Sequence, residues 1–200
     1  MKKFLLQRLD TKKLALASIL AAISGAFEII PGPPFDIPFP LYDRVSWDLT
    51  GLPMMMSLLF TGPLGAIYTC FAGCTFIFLR GNIYGGIFKI IAELATFLAF
   101  AAIRKGFVPK TIAAITSRVV IMTAANYLLL PVFYGMSTSF VVGILPALAV
   151  MNGTQALINI IPAQIVYSRV NNWWRLRIGE TKPITQSSLK KNTDGGLGGN

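Results

Sequence analysis

Apolar runs broken by short polar or proline-glycine segments organise this chain. The first run, Leu14 to Ile30, holds about 17 residues, the low end for a bilayer-crossing helix. Its leader, MKKFLLQRLDTKK, has the charge of a signal peptide. Ser24, Gly25 and Ala26 make a poor cleavage site, so the run reads as an uncleaved first helix. Residues 31 to 48 carry five prolines, which cannot continue a helix. Phe35, Phe39, Tyr42 and Trp47 alternate there with Asp36, Asp43 and Asp48, the pattern of an outer-face loop. Gly62-Pro63-Leu64-Gly65 then divides one apolar stretch into a short helix, about 49 to 61, and a second, about 63 to 80. Three more helices are predicted at about 86 to 103, 111 to 133 and 141 to 168. The expected fold class is therefore an all-α integral membrane protein with six transmembrane helices. Residues 1–170 form the membrane domain, and residues 171–200 a polar, glycine-rich tail that reads as disordered.

Composition supports the membrane reading. Hydrophobic residues make up 54% of the 200 and charged residues only 13%, against about 25% in soluble domains. Mean hydropathy is +0.63. There is no histidine, which removes the commonest metal ligand and the usual general base near neutral pH. The net charge of +10 would suit nucleic acid, but its placement argues against that. Fifteen of the 18 Lys and Arg fall in three clusters: before the first run, around Arg104, Lys105, Lys110 and Arg118, and after the last run. Six helices with both termini cytoplasmic put all three clusters inside, beside the anionic leaflet. Cys70 and Cys74, at i and i+4, read as small residues on one helix face.

Polar groups within spans are expensive and by default mark function. They are Glu28, Lys89, Glu93, Asn126, Asn152, Gln155, Asn159 and Gln164, most of them between the midplane and the outer surface. That depth fits a polar cavity open to the outside. Lys89 and Glu93 can pair at i and i+4. Asn152, Gln155 and Asn159 form one polar stripe, which also suits interhelical contacts. On helix one, Ala17 with Ala21 and Ala22 with Ala26 make small-xxx-small pairs that allow close approach of another helix.

The order of these pieces resembles the substrate-binding S component of energy-coupling factor (ECF) vitamin transporters, riboflavin-type branch. The resemblance rests on several stretches between about residues 14 and 170. They are Phe27-Glu28-Ile29-Ile30-Pro31, Asp48-Leu49-Thr50-Gly51-Leu52-Pro53, Phe60-Thr61-Gly62-Pro63-Leu64-Gly65 and Ala92-Glu93-Leu94-Ala95-Thr96-Phe97. Asn126-Tyr127 with Pro131 and Tyr134-Gly135, and Ile144-Leu145-Pro146, complete the set. It implies a six-helix, multi-pass protein of a prokaryotic plasma membrane with a ligand pocket under the first outer loop. It also implies docking, partly through helix one, onto a shared membrane subunit driven by two ATPases. Helix six departs from the riboflavin-type pattern: Ala147-Leu148-Ala149-Val150-Met151-Asn152-Gly153 lacks its asparagine and lysine. Riboflavin is thus the nearest ligand, and another vitamin or heterocycle suits the same chemistry.

The expected function is binding of a small aromatic vitamin, without catalysis and without a resident cofactor or metal. Trp47 and Tyr84 would stack on its ring. Asp48, Glu93, Asn126, Asn152 and Gln155 would hydrogen-bond it, with Lys89 positioning Glu93. Ala17, Ala21, Ala22 and Ala26 would form the docking face. Two rivals remain: an intramembrane enzyme using Glu93 and Lys89 as acid and base, and an assembly subunit that only docks.

Overall fold

The computed structural model describes residues 10–30, 32–104 and 106–178. Six helices and one two-stranded hairpin make up the fold: α1 Thr11–Ile29, β1 Asp36–Pro38, β2 Ser46–Asp48, α2 Gly51–Thr61, α3 Pro63–Leu79, α4 Ile83–Ala102, α5 Phe107–Tyr134 and α6 Thr138–Ile178. Local chemistry sets the boundaries. Asp10 caps α1 by accepting from the Thr11 N–H at 2.7 Å. Gly62, at φ 90°, supplies the left-handed turn between α2 and α3, and Pro63 opens α3 where its missing N–H has no cost. Asn82 caps α4 by accepting from the Gly85 N–H at 3.0 Å. Gly135, at φ 64°, ends α5 in a left-handed cap.

The helices close into a ring in the order α1, α3, α4, α5, α6, α2, with α2 also packed on α3. Met54, Met55, Leu58, Cys70, Cys74, Phe97, Ala114 and Ile160 form its core. Cys70 and Cys74 are both buried and unbridged. Helices α4, α5 and Thr138–Asn171 of α6 are long and apolar enough to cross a membrane. The apolar helices α2 and α3 are shorter, and α1 carries Lys12 and Lys13 at one end and Glu28 at the other.

Three features differ from expectation. The outer loop is not irregular throughout, because β1 and β2 pair antiparallel with Ile37 opposite Trp47. Helix α6 runs ten residues past its expected end at 168, through Pro146 and Pro162. One continuous buried face, Ala156, Ile160 and Ala163, holds it across Pro162. Trp173 and Trp174 therefore sit on α6 rather than after it. Arg118, assigned by its neighbours to a cytoplasmic basic cluster, is buried inside the bundle. The tail beyond Ile178 and the first nine residues lie outside the described residues.

Candidate functional site

A cavity of ≈910 Å³ opens beneath the hairpin, between the ends of α1, α3, α4, α5 and α6. The hairpin is its roof. Phe39 is buried in it and packs edge-on against Trp47 at 5.0 Å. The Trp47 indole N–H donates to Thr154 Oγ1 at 2.8 Å, and this ties the roof to α6. Gln155 ties it again: its amide donates to the Asp48 carbonyl at 2.6 Å and accepts from the Asp48 N–H at 3.1 Å. The side-chain amide thus extends the hairpin edge much as a further strand would.

Below the roof lies a network of four charges. Lys89 Nζ contacts the Asp48 carboxylate and stands 3.5 Å from Glu93 Oε1. Arg118 Nη1 donates to Glu93 Oε1 at 2.9 Å and to Thr96 Oγ1 at 3.1 Å. Arg118 Nε donates to Asn152 Oδ1 at 3.3 Å. The Asn159 amide donates to both Glu93 oxygens at 3.1 Å and accepts from Gln155 Nε2 at 3.1 Å. Two acids and two bases balance, as burial at this depth requires. Among the described residues no buried side-chain polar atom lacks a partner.

Asp48 stands on the hairpin, outside the helices. Burial alone would raise its carboxyl pKa. The Lys89 charge and hydrogen bonds from Lys89 and Thr50 outweigh burial and hold it below the ordinary 3.8. The Thr50 N–H donates to Asp48 Oδ1 at 2.9 Å, so the carboxylate also starts the turn into α2. Gly51 follows because a Cβ there would run into the Asn159 amide and the Glu93 carboxylate.

The structure brings together most of the residues singled out by sequence. Asp48, Lys89, Asn126 and Asn152 line the cavity. Glu93 and Gln155 are fully buried beneath it and hold its lining in place. Trp47 and Tyr84 are not among its lining residues. Trp47 packs into the hairpin, and Tyr84 stacks on Phe133 at 4.5 Å. The rings that do face the cavity are Phe27, Phe35, Tyr42, Phe88, Tyr134 and Phe140. Asn159, seen in sequence only as part of a stripe, is a direct ligand of Glu93. Arg118 was missed. Its distance from the start of α5, eleven residues or about 16 Å, places it near mid-helix and was the available signal.

The alanines of α1 divide. Ala17 and Ala21 are buried inside the bundle, where the Ala17 carbonyl accepts from Thr69 Oγ1 at 3.1 Å. Ala22 and Ala26 are exposed. The face open to a partner is therefore narrower than the repeated pairs suggest.

Among solved structures, the chain superimposes on the S component of a bacterial ECF transporter. The TM-score is 0.68 at 22% identity, over 81% of this chain and 96% of that one. The fold is that of an S component. No family model matches the sequence, and no curated protein matches it. The cavity under the hairpin and its charged floor are read from this chain's own residues.

Proposed function

We propose that this chain is the substrate-binding subunit of an ECF-type uptake transporter and takes a small aromatic vitamin from the outer face. Riboflavin is the first ligand to test. The observation that carries this reading is the roofed cavity of ≈910 Å³, within the roughly 300–1,000 Å³ range of small-molecule sites. Its wall combines rings, the amides of Asn82, Asn126 and Asn152, and the Lys89 and Asp48 pair. Ring stacking falls to the lining aromatics, of which Phe27, Phe88, Tyr134 and Phe140 stand on helices. Asn126 and Asn152 supply hydrogen bonds, and Lys89 and Asp48 supply charge. Glu93, Gln155 and Asn159 position them.

Six spans with both termini inside follow from the same reading. The hairpin end carries Arg44 and Arg80 beside Glu28, Asp36, Asp43 and Asp48, and the opposite end carries the larger basic set of Lys12, Lys13, Arg104, Lys110 and Arg169. Uptake then needs a shared membrane subunit and two ATPases, reached in part through Ala22 and Ala26. An enzyme acting through Glu93 has less support, since its two oxygens are held by Arg118 and Asn159.

The test is mass spectrometry and an absorption spectrum of protein purified in mild detergent without added ligand. A flavin spectrum near one-to-one stoichiometry supports the full reading. Another bound heterocycle keeps the function and replaces the vitamin. Turnover of any such ligand by the protein alone would overturn it in favour of catalysis.

A further inference from the structure

Two of the rings that face the cavity under the hairpin, Phe88 on α4 and Tyr134 on α5, belong to a cluster with Tyr84 and Phe133. The latter two are not among the lining residues and stand beside them. Tyr84 stacks on Phe133 with centroids 4.5 Å apart and an interplanar angle of 15°. It also meets Tyr134 edge-on at 5.6 Å, and Phe133 meets Phe88 edge-on at 6.0 Å. Ring contacts therefore run unbroken from one wall ring, Tyr134, through Tyr84 and Phe133 to the other, Phe88. Stacked and edge-on pairs at these separations are attractive beyond their apolar burial.

The backbone alone holds this corner weakly. Tyr84 is the second residue of α4, and Tyr134 is the last of α5. The first N–H groups and last carbonyls of a helix lack partners within it, so terminal turns fray. Pro131 stands in the last turn of α5 and removes one more backbone donor there. Gly135 then leaves the helix in a left-handed turn. A half-exposed ring on such a turn has several rotamers open to it unless its neighbours fix one. Once fixed, it offers a flat face without an ordering cost at binding. We infer that Tyr84 is a positioning residue of the cavity: it touches no ligand, and with Phe133 it braces Tyr134 and Phe88 so that the two wall rings keep one spacing for a flat heterocycle. This rests on the proposed binding of an aromatic vitamin, and it gives Tyr84 a supporting role in place of direct stacking.

The test compares Tyr84→Leu, which removes the ring, with Tyr84→Phe, which keeps it, in the full chain in mild detergent. One set of proteins carries 4-fluorophenylalanine in place of Tyr134, its fluorine on the ring axis so that ring flips add no lines. An unlabelled set is titrated with riboflavin by calorimetry. Wild type and Tyr84→Phe each show one sharp fluorine line and the same riboflavin affinity. In Tyr84→Leu the line broadens or splits, and affinity falls about fivefold, the worth of one ring pair. The number and width of lines are the readout, because losing a neighbouring ring shifts their position by itself. One sharp line in Tyr84→Leu overturns the inference whatever the melting temperature does, and leaves the cluster as helix packing alone. An affinity loss that Tyr84→Phe shares also overturns it, because the hydroxyl would then be the group that acts. If wild type binds no riboflavin, that vitamin is excluded while the fluorine spectra still decide the brace.

Discussion

Arg118 offers the sharpest test of the site's construction. Arg118→Met removes a 2.9 Å ion pair to Glu93 and the donors to Thr96 and Asn152, and leaves an apolar stem of similar length. Glu93, 2% exposed, then keeps Asn159 and the more distant Lys89 at 3.5 Å. Two acids would share one buried base. Removing one partner of a buried pair costs about 3–5 kcal/mol. The remaining Lys89 places this case at the low end, about 3 kcal/mol, or more than a hundredfold in the folded-to-unfolded ratio. Pairing the change with Glu93→Leu restores the balance, leaving Lys89 against Asp48. The double variant should recover at least about 2 kcal/mol over the single, because well-packed apolar residues replace such pairs with little loss. Reversible unfolding in mixed micelles, titrated with a denaturing detergent, measures both. A single variant within about 1 kcal/mol of wild type, or a double variant whose loss is the sum of the two singles, would refute this account of the network.

Asn152→Ala should weaken ligand binding about tenfold in titration calorimetry without loss of folded protein, since it removes a cavity-lining amide; unchanged affinity would take Asn152 out of the site. Gly51→Ala should destabilise by about 1–3 kcal/mol through collision with Asn159 and Glu93. Gly143→Ala on α6, where a Cβ meets nothing within 4 Å, should be neutral or stabilising by about 1 kcal/mol in the same unfolding assay. Ala22→Leu should abolish capture of the coupling subunit while leaving ligand binding intact, whereas Ala21→Leu should overpack the buried α1 face and lower stability first; capture by Ala22→Leu at wild-type levels would remove this face from docking. Asp48 has a folded pKa below its unfolded value, so its stabilising contribution is complete above the ordinary 3.8 and fades as pH falls through the depressed value. Hairpin protection from an acid-active protease should therefore be unchanged from pH 7 to 5 and be lost only well below pH 4.

The helix count was legible because each break carries its own chemistry. Gly62-Pro63, Arg80-Gly81-Asn82 and Tyr134-Gly135 cannot continue a helix cheaply, and each marks a real boundary. The hairpin was illegible because its strands are only three residues long and lie in a proline-rich segment. The second strand is held by α6, through Gln155 and Thr154, which lie 107 residues away from the residues they bond. The end of α6 was hidden for a related reason: proline signals a stop locally, and only the buried face of the finished bundle overrides it. Lys89 and Glu93 were legible as a pair because i and i+4 is a local relation. Arg118 pairs with Glu93 across 25 positions, so no spacing rule connects them. Counting along the helix would have exposed it, because a cation about 16 Å into an apolar helix must find a buried acid. Basic neighbours at its N-terminal side drew it instead into a topological signal.

That pairing changes how ligand binding at this site is to be understood. With Lys89 held by Asp48 and the Asn152 oxygen held by Arg118, a ligand of the proposed kind exchanges hydrogen bonds at these two groups rather than adding them. A ligand that engages Lys89 takes it from Asp48, and one that engages the Asn152 oxygen takes it from Arg118. Net affinity must then come chiefly from apolar burial against the lining rings. The exchanged bonds set specificity by rejecting ligands that cannot replace them. The same exchange reaches the roof, since Asp48 is bonded through its backbone to Gln155 and through its carboxylate to Lys89 and Thr50. Diverting Lys89 removes one of the attachments that hold the hairpin. On the proposed function, occupancy of the cavity and position of the roof are expected to be coupled through one carboxylate. Asp48→Asn, which keeps the backbone pairing to Gln155 but gives up the ion pair, should loosen that coupling while leaving the cavity intact.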